Sequence, residues 1–154
     1  MRYGQNILNR PENVRRAVDK LRTFRILEES SIPTVEFTTS SHIANEWNED
    51  SKVYCRTVLN GHAGEGIVIT NRGDRLTPAP LYTKGIDTRA EYRVHVFSGE
   101  VIGYAKKRRR DGEPATESQL LVRSHQNGWI FTRGRLKRLE RIEELARQAI
   151  SALG

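Results

Sequence analysis

Gly61, Gly64 and Gly66 fall within the run Asn60-Gly61-His62-Ala63-Gly64-Glu65-Gly66, between two apolar segments. Glycines so placed let backbone N–H groups approach phosphate oxygens and let a loop fold over them. The run lacks Gly-Lys-Ser/Thr, and a strand rather than a helix is expected after it. It is therefore neither a Walker A loop nor a dinucleotide fingerprint, and a plain hairpin turn would use the same residues. Arg56, near the end of the preceding strand, can reach a phosphate held by the loop; a solvent-facing strand position accounts for it equally. Glu91, Arg93 and His95 share one face of a strand, because residues i and i+2 point the same way. A carboxylate suits a ribose hydroxyl and a guanidinium suits phosphate oxygens, while the same face also suits cross-strand ion pairs. The basic run Lys106 to Arg110 fits a phosphate site, a nucleic-acid contact or a solvated strand end. Tyr104 is the one aromatic close to it, which argues against a stacking platform for single strands. His42, His62, His95 and His125 show no metal-ligand spacing, so no metal site is expected from them. Cys55 lies in a strand with no histidine near it in sequence and reads as a buried, inert thiol.

These groups belong to a chain of 154 residues with 26 Lys plus Arg, 19 Asp plus Glu and one cysteine, for a net charge of +7. The length suits one compact unit with two small lobes. A lone thiol excludes an intramolecular disulfide framework and a Cys-rich zinc site, and fits a reducing compartment. Apolar residues make up 36% and charged residues 29%, so the expected core is modest. No apolar run approaches the roughly 18 residues of a membrane span, and no apolar segment follows Met-Arg-Tyr-Gly as in a signal peptide. A cytoplasmic protein without a membrane span is expected. The positive charge favours anionic partners: nucleotide phosphates, nucleic acid or an acidic protein.

The elements that must position these side chains follow from periodicity. Residues 11–29 read as one amphipathic helix, with Pro11 in its first turn and Val14, Ala17, Val18, Leu21, Phe24 and Leu27 on one stripe. Thr34–Thr38 alternates like a short strand, and Ser40 or Ser41 caps a helix reaching Trp47. Strands are expected at Lys52–Leu59, Gly66–Thr70, Leu81–Lys84, Ala90–Phe97, Glu100–Lys107, Leu120–Ser124 and Trp129–Thr132. Ser98-Gly99 joins two of them as a two-residue hairpin. Residues 135–153 form a terminal helix with Leu136, Leu139, Ile142, Leu145, Ala146, Ala149, Ile150 and Leu153 on a continuous apolar stripe. The order is an α+β layout, an antiparallel sheet flanked by helices. Residues 1–50 are expected to form a helical opening segment and small β/α lobe. Residues 51–154 would form the second lobe.

The order of these segments resembles the nucleotide-binding half of ATP-grasp proteins. Asp19-Lys20 followed by Ile32-Pro33-Thr34 is similar to the opening of that half. Lys52–Arg56 with Asn60–Ile67 resembles the first ATP-binding strand and its phosphate-covering flap. Leu81-Tyr82-Thr83-Lys84-Gly85-Ile86 resembles the hinge strand beside adenine. Glu91-Tyr92-Arg93-Val94-His95-Val96 and Val101–Arg108 resemble the strands that follow. The strings Asn60-Gly61-His62, Gly66-Ile67-Val68 and Glu91-Tyr92-Arg93-Val94-His95-Val96-Phe97 are similar to a phage-encoded branch, related in fold to the ribosomal-protein glutamate ligases. The resemblance runs from about Tyr3 to Gly154.

The resemblance implies roles. Lys20 and Arg56 would approach the phosphates, although the family commonly has Lys where Arg56 stands and a loop one residue shorter. Gly61, His62, Gly64 and Gly66 would form the flap. Lys84 and Ile86 would contact adenine through backbone groups, and Glu91 would face the ribose. Arg93 and Lys107 or Arg108 would face the phosphates, with Arg93 the candidate catalytic residue. Asn127, in His125-Gln126-Asn127-Gly128, would line the site. Family enzymes continue past the last helix into an acidic strand and a Glu-any-Asn segment that hold magnesium, whereas this chain reaches Gly154 where that strand would begin. The substrate lobe would be reduced to about Met1–Asn9. The resemblance therefore implies an ATP-binding module of a carboxylate–amine or carboxylate–thiol ligase, incomplete or inactive as this chain, with magnesium held only if ligands come from outside. Alternatives are a non-catalytic phage protein, as a virion component or partner-binding module, and a basic nucleic-acid-binding protein. Without the family's next strand, residues 135–153 are expected to support self-association or a partner chain.

Overall fold

The computed structural model describes residues 9–112, 115–133 and 140–154. The chain is α+β, with two antiparallel sheets flanked by helices. Helices α1 (Pro11–Val18) and α2 (Lys20–Glu29) lead into strand β1 (Phe37–Thr38), helix α3 (Ser41–Asn48), and strands β2 (Val53–Arg56), β3 (Ile67–Thr70) and β4 (Leu81–Lys84). Strands β5 (Tyr92–Phe97) and β6 (Glu100–Arg109), helix α4 (Glu117–Leu121), strand β7 (Trp129–Thr132) and helix α5 (Glu140–Leu153) complete the order. The first sheet runs β1-β4-β2-β3 and the second β5-β6-β7.

The single helix expected over 11–29 is two helices. Asp19 leaves the helical region (φ −81°, ψ 111°), and its side chain accepts from the Arg22 N–H at 3.0 Å, capping α2. An aspartate that caps gains more from ending one helix than from continuing it. The break frees the Lys20 N–H, which donates to the Leu59 carbonyl at 2.9 Å and ties α2 to the base of the glycine loop.

The strand expected at Leu120–Ser124 does not form: Leu120 and Leu121 end α4, and Val122 to Ser124 are irregular. Thr116 and Gln119 form a reciprocal capping box. The Thr116 hydroxyl accepts from the Gln119 N–H at 3.3 Å, and the Gln119 side chain accepts from the Thr116 N–H at 3.0 Å. Two orphan donors satisfied at once favour a helical turn over a strand. Other bounds shift modestly: β1 is two residues, β2 ends at Arg56, and β6 extends through Arg109. At the β5–β6 turn, Ser98 (φ 48°) and Gly99 (φ 80°) both take the left-handed conformation that a type I′ hairpin requires.

The core lies under the first sheet. Ala44, Val53, Cys55, Leu76 and Tyr82 are buried together, with Trp47 and Ala79 packed against them. Strand β2 alternates buried and half-buried, so Val53 and Cys55 point into the core while Tyr54 and Arg56 point to the other side. The Cys55 thiol is fully buried, 3.4 Å from the Thr70 hydroxyl, as expected of an inert thiol. Helix α5 rests on α1, α2, β5 and β6, and the Asn13 side chain donates to the Gly154 carbonyl. Its stripe therefore finds partners within the chain, though Ile150 stays 49% exposed. Leu136 and Leu139, expected at the start of this helix, lie outside the described residues. Among the described residues, no helix is long and apolar enough to cross a membrane.

Candidate functional site

A cleft of 810 Å³ opens between the two sheets. Its walls come from β2 (Tyr54, Arg56), the glycine loop (Ala63, Gly64), β3 (Ile67), β4 and the linker beyond it (Thr83, Lys84, Ile86 to Arg89, Glu91), β5 (Arg93), β6 (Lys107) and the segment Leu120 to Ser124. The volume lies within the usual 300–1,000 Å³ of ligand sites. Six cations line it (Arg56, Lys84, Arg89, Arg93, Lys107, Arg123) against two carboxylates, Asp87 and Glu91. Such a balance in a concave, partly desolvated site attracts anions.

Arg56 is the most telling of these. Its guanidinium carbon lies 5.9 Å from the ring centroid of Phe24 in α2, and Phe24 in turn stacks on Phe37. Burial pushes the guanidinium below its ordinary pKa. Arginine nevertheless remains charged. Its Nε is buried without a hydrogen-bond partner among the described residues. A desolvated cation with an unused donor is costly unless an anion meets it.

The second sheet presents a paired set. Lys107 Nζ lies 2.7 Å from Glu91 Oε1, and Arg123 Nη1 lies 4.0 Å from Glu91 Oε2. Arg123 also donates to the Thr88 carbonyl at 2.9 Å and stacks over Trp129, 4.9 Å from the ring. It thus ties the inter-sheet linker to β7. Arg93 lies over Phe131 at 3.9 Å.

The glycine loop covers one end of the cleft. A Cβ on Gly64 (φ 91°) would stand 2.6 Å from Val122 Cγ1, so the loop tip closes against the segment after α4. The loop is held from within by the Glu65 N–H to the His62 carbonyl (2.9 Å) and by the Thr57 N–H to the Gly66 carbonyl (2.8 Å).

Of the residues singled out in the sequence, the structure brings Arg56, Gly64, Lys84, Ile86, Glu91, Arg93 and Lys107 to one cleft. It does not bring the others. Lys20 turns its Nζ to the Val18 carbonyl at 3.2 Å. Arg108 points away from Lys107, as strand alternation demands, and pairs with Asp111 at 3.1 Å. His62 is exposed beside Glu65, while Gly61 and Gly66 shape the loop rather than face the cleft. Asn127 acts behind the site: its side chain donates to the Val122 carbonyl at 2.7 Å and braces the segment that meets Gly64. Arg123, Arg89 and Tyr54 were not anticipated. The alternation that puts Arg56 on the cleft side of β2 also puts Tyr54 there, and that was the available signal. Among the described residues, no three His, Cys, Asp or Glu side chains gather into a metal cluster.

No family model matches this chain. No curated protein matches it either. Solved structures do. The ATP-grasp ligase PsnB in complex with a minimal precursor aligns over 98% of this chain and 48% of its own, with a TM-score of 0.67 and 14% identity. PsnB with minimal precursor, Mg and ADP aligns over 98% and 47%, with a TM-score of 0.63 and 16% identity. D-alanine–D-alanine ligase from Bacillus anthracis aligns over 92% and 50%, with a TM-score of 0.64 and 13% identity. The chain thus shares the ATP-grasp fold and spans about half the length of these ligases.

Proposed function

We propose that the cleft binds ATP and that the chain is the nucleotide-binding module of an ATP-grasp-type carboxylate–amine or carboxylate–thiol ligase. The observation that carries this reading is Arg56, a half-buried cation whose buried Nε has no hydrogen-bond partner among the described residues, lining a cation-rich cleft that a glycine loop closes. The fold shared with ATP-grasp ligases supports it.

In this reading Arg56, Arg93 and Lys107 hold the phosphates, with Arg93 placed to meet charge that develops during transfer. Backbone groups at Lys84 and Ile86 border the base, and Glu91 takes a ribose hydroxyl. The loop tip at Gly64 excludes water. Magnesium, when bound in such an enzyme, neutralises charge between phosphates. The described residues do not fit that ion unaided, because the Glu91 carboxylate is engaged by Lys107 and Arg123 and no carboxylate cluster accompanies it. Ligands for the ion would come from outside the described residues or from a partner.

The isolated chain is therefore expected to bind ATP without magnesium-dependent turnover. An ADP-release assay on the purified protein tests this. Release well above background, abolished by Arg93→Ala, would show that the described residues do complete a metal site.

A further inference from the structure

The ring of Phe131 carries two cleft cations at once. Phe131 stands opposite Lys107 in the β6–β7 register, and Lys107 Nζ lies 5.1 Å from the ring centroid. Arg93 starts on β5, two strands away, a distance of roughly 10 Å. Its side chain crosses that gap above its own register partner, Ala105, and brings Cζ to 3.9 Å from the same centroid. Ala105 is 5% exposed, and its small methyl group leaves the path that a larger side chain would fill. Among the described residues Glu91 pairs with Lys107 and Arg123.

We propose that Phe131 is a positioning residue for the polyphosphate-binding cations of this cleft. Its electron-rich ring attracts both charges and holds them near one another against their mutual repulsion. An arginine fixed before the ligand arrives loses less conformational freedom on binding, so the ring raises affinity for a polyphosphate without touching it. This rests on the nucleotide reading above and adds to it a residue outside the cleft wall.

The test compares wild type, Phe131→Leu, Phe131→Trp and Ala105→Val by calorimetry with ATP and with adenosine. Leucine keeps apolar bulk and removes the ring. Phe131→Leu is expected to weaken ATP binding roughly 3- to 30-fold, the span of one to two cation–π contacts, with adenosine affinity unchanged within about twofold. Phe131→Trp restores ATP affinity, and Ala105→Val, which keeps the ring but closes Arg93's path, shows the same loss as leucine. In wild type without nucleotide, the Arg93 side-chain protons show an upfield ring-current shift in NMR spectra that Phe131→Leu abolishes. ATP affinity unchanged in both Phe131→Leu and Ala105→Val overturns the proposal. So does equal loss of ATP and adenosine with no rescue by tryptophan. Wild type that shows the ring-current shift but binds no ATP overturns the nucleotide reading and the positioning role with it, and leaves only the stack.

Discussion

Glu91, the residue before β5, and Lys107 of β6 are joined twice: the Lys107 N–H donates to the Glu91 carbonyl at 2.8 Å, and Lys107 Nζ meets Glu91 Oε1 at 2.7 Å. The Lys107 side chain is only 12% exposed, so the carboxylate is the partner that makes its charge tolerable there. Glu91→Gln is expected to destabilise the fold by about 1–2 kcal/mol, between the values for exposed and buried pairs. It also releases Lys107 and Arg123 toward anions. Tripolyphosphate should therefore bind a few-fold more tightly to Glu91→Gln while adenosine binds less well. Calorimetry with the two ligands separately checks both signs, and weaker tripolyphosphate binding would contradict the arrangement.

Arg56→Ala removes a buried Nε donor that has no partner among the described residues. Its loss should leave thermal stability unchanged or slightly raised, because a partly desolvated charge with an unpartnered Nε disappears. ATP affinity should fall by about 10- to 100-fold, the worth of a charged hydrogen bond. Arg108→Ala is the control, since that side chain is turned to Asp111. Equal losses in the two variants would mean that net charge, not position, governs binding.

Gly64 and Gly73 both have positive φ, 91° and 77°, but a Cβ at Gly64 meets Val122 at 2.6 Å whereas one at Gly73 meets nothing within 4 Å. Alanine at either site should cost about 1–2 kcal/mol of backbone strain. Only Gly64→Ala should also displace the loop tip from Val122 and weaken nucleotide binding. Melting curves and ATP titrations of both variants separate strain from closure.

Much of this architecture was legible in sequence because single residues dictated it. Ser98-Gly99 accepts two positive φ angles, and the Val53/Cys55 alternation set the inward face of β2 and so aimed Arg56 at the cleft. The failures came where a polar side chain overrode apolar spacing. Asp19 capped a helix whose hydrophobic stripe continues through it. The Thr116/Gln119 box turned an apolar segment helical. Arg123 and Phe131 were missed for another reason. Their roles depend on partners far away in sequence, Thr88 and Arg93, which only the folded sheet brings near.

Lys52 Nζ lies 2.6 Å from Glu117 Oε1, joining the start of β2 to α4. The hydrogen bond from Lys52, and then its charge, hold the Glu117 carboxyl below its ordinary 4.5. A folded value below the unfolded one means that the contact stabilises the protein above about pH 4.5 and is lost as pH falls through the folded value. Carboxyl NMR titration should place the Glu117 midpoint below 4.5, and Lys52→Met should raise it. An unchanged midpoint in that variant would assign the depression to another cause.

The central claim is that a nucleotide occupies the cleft between the two sheets with its phosphates on Arg56 and Arg93. The most direct measurement is an ATP titration followed by amide and arginine side-chain NMR. The account predicts a dissociation constant between micromolar and millimolar, about −8 to −4 kcal/mol, with shifts concentrated at Arg56, Gly64, Ile86, Glu91 and Arg93. No shift at millimolar ATP, or shifts confined to the outward cations such as Arg108, would contradict it.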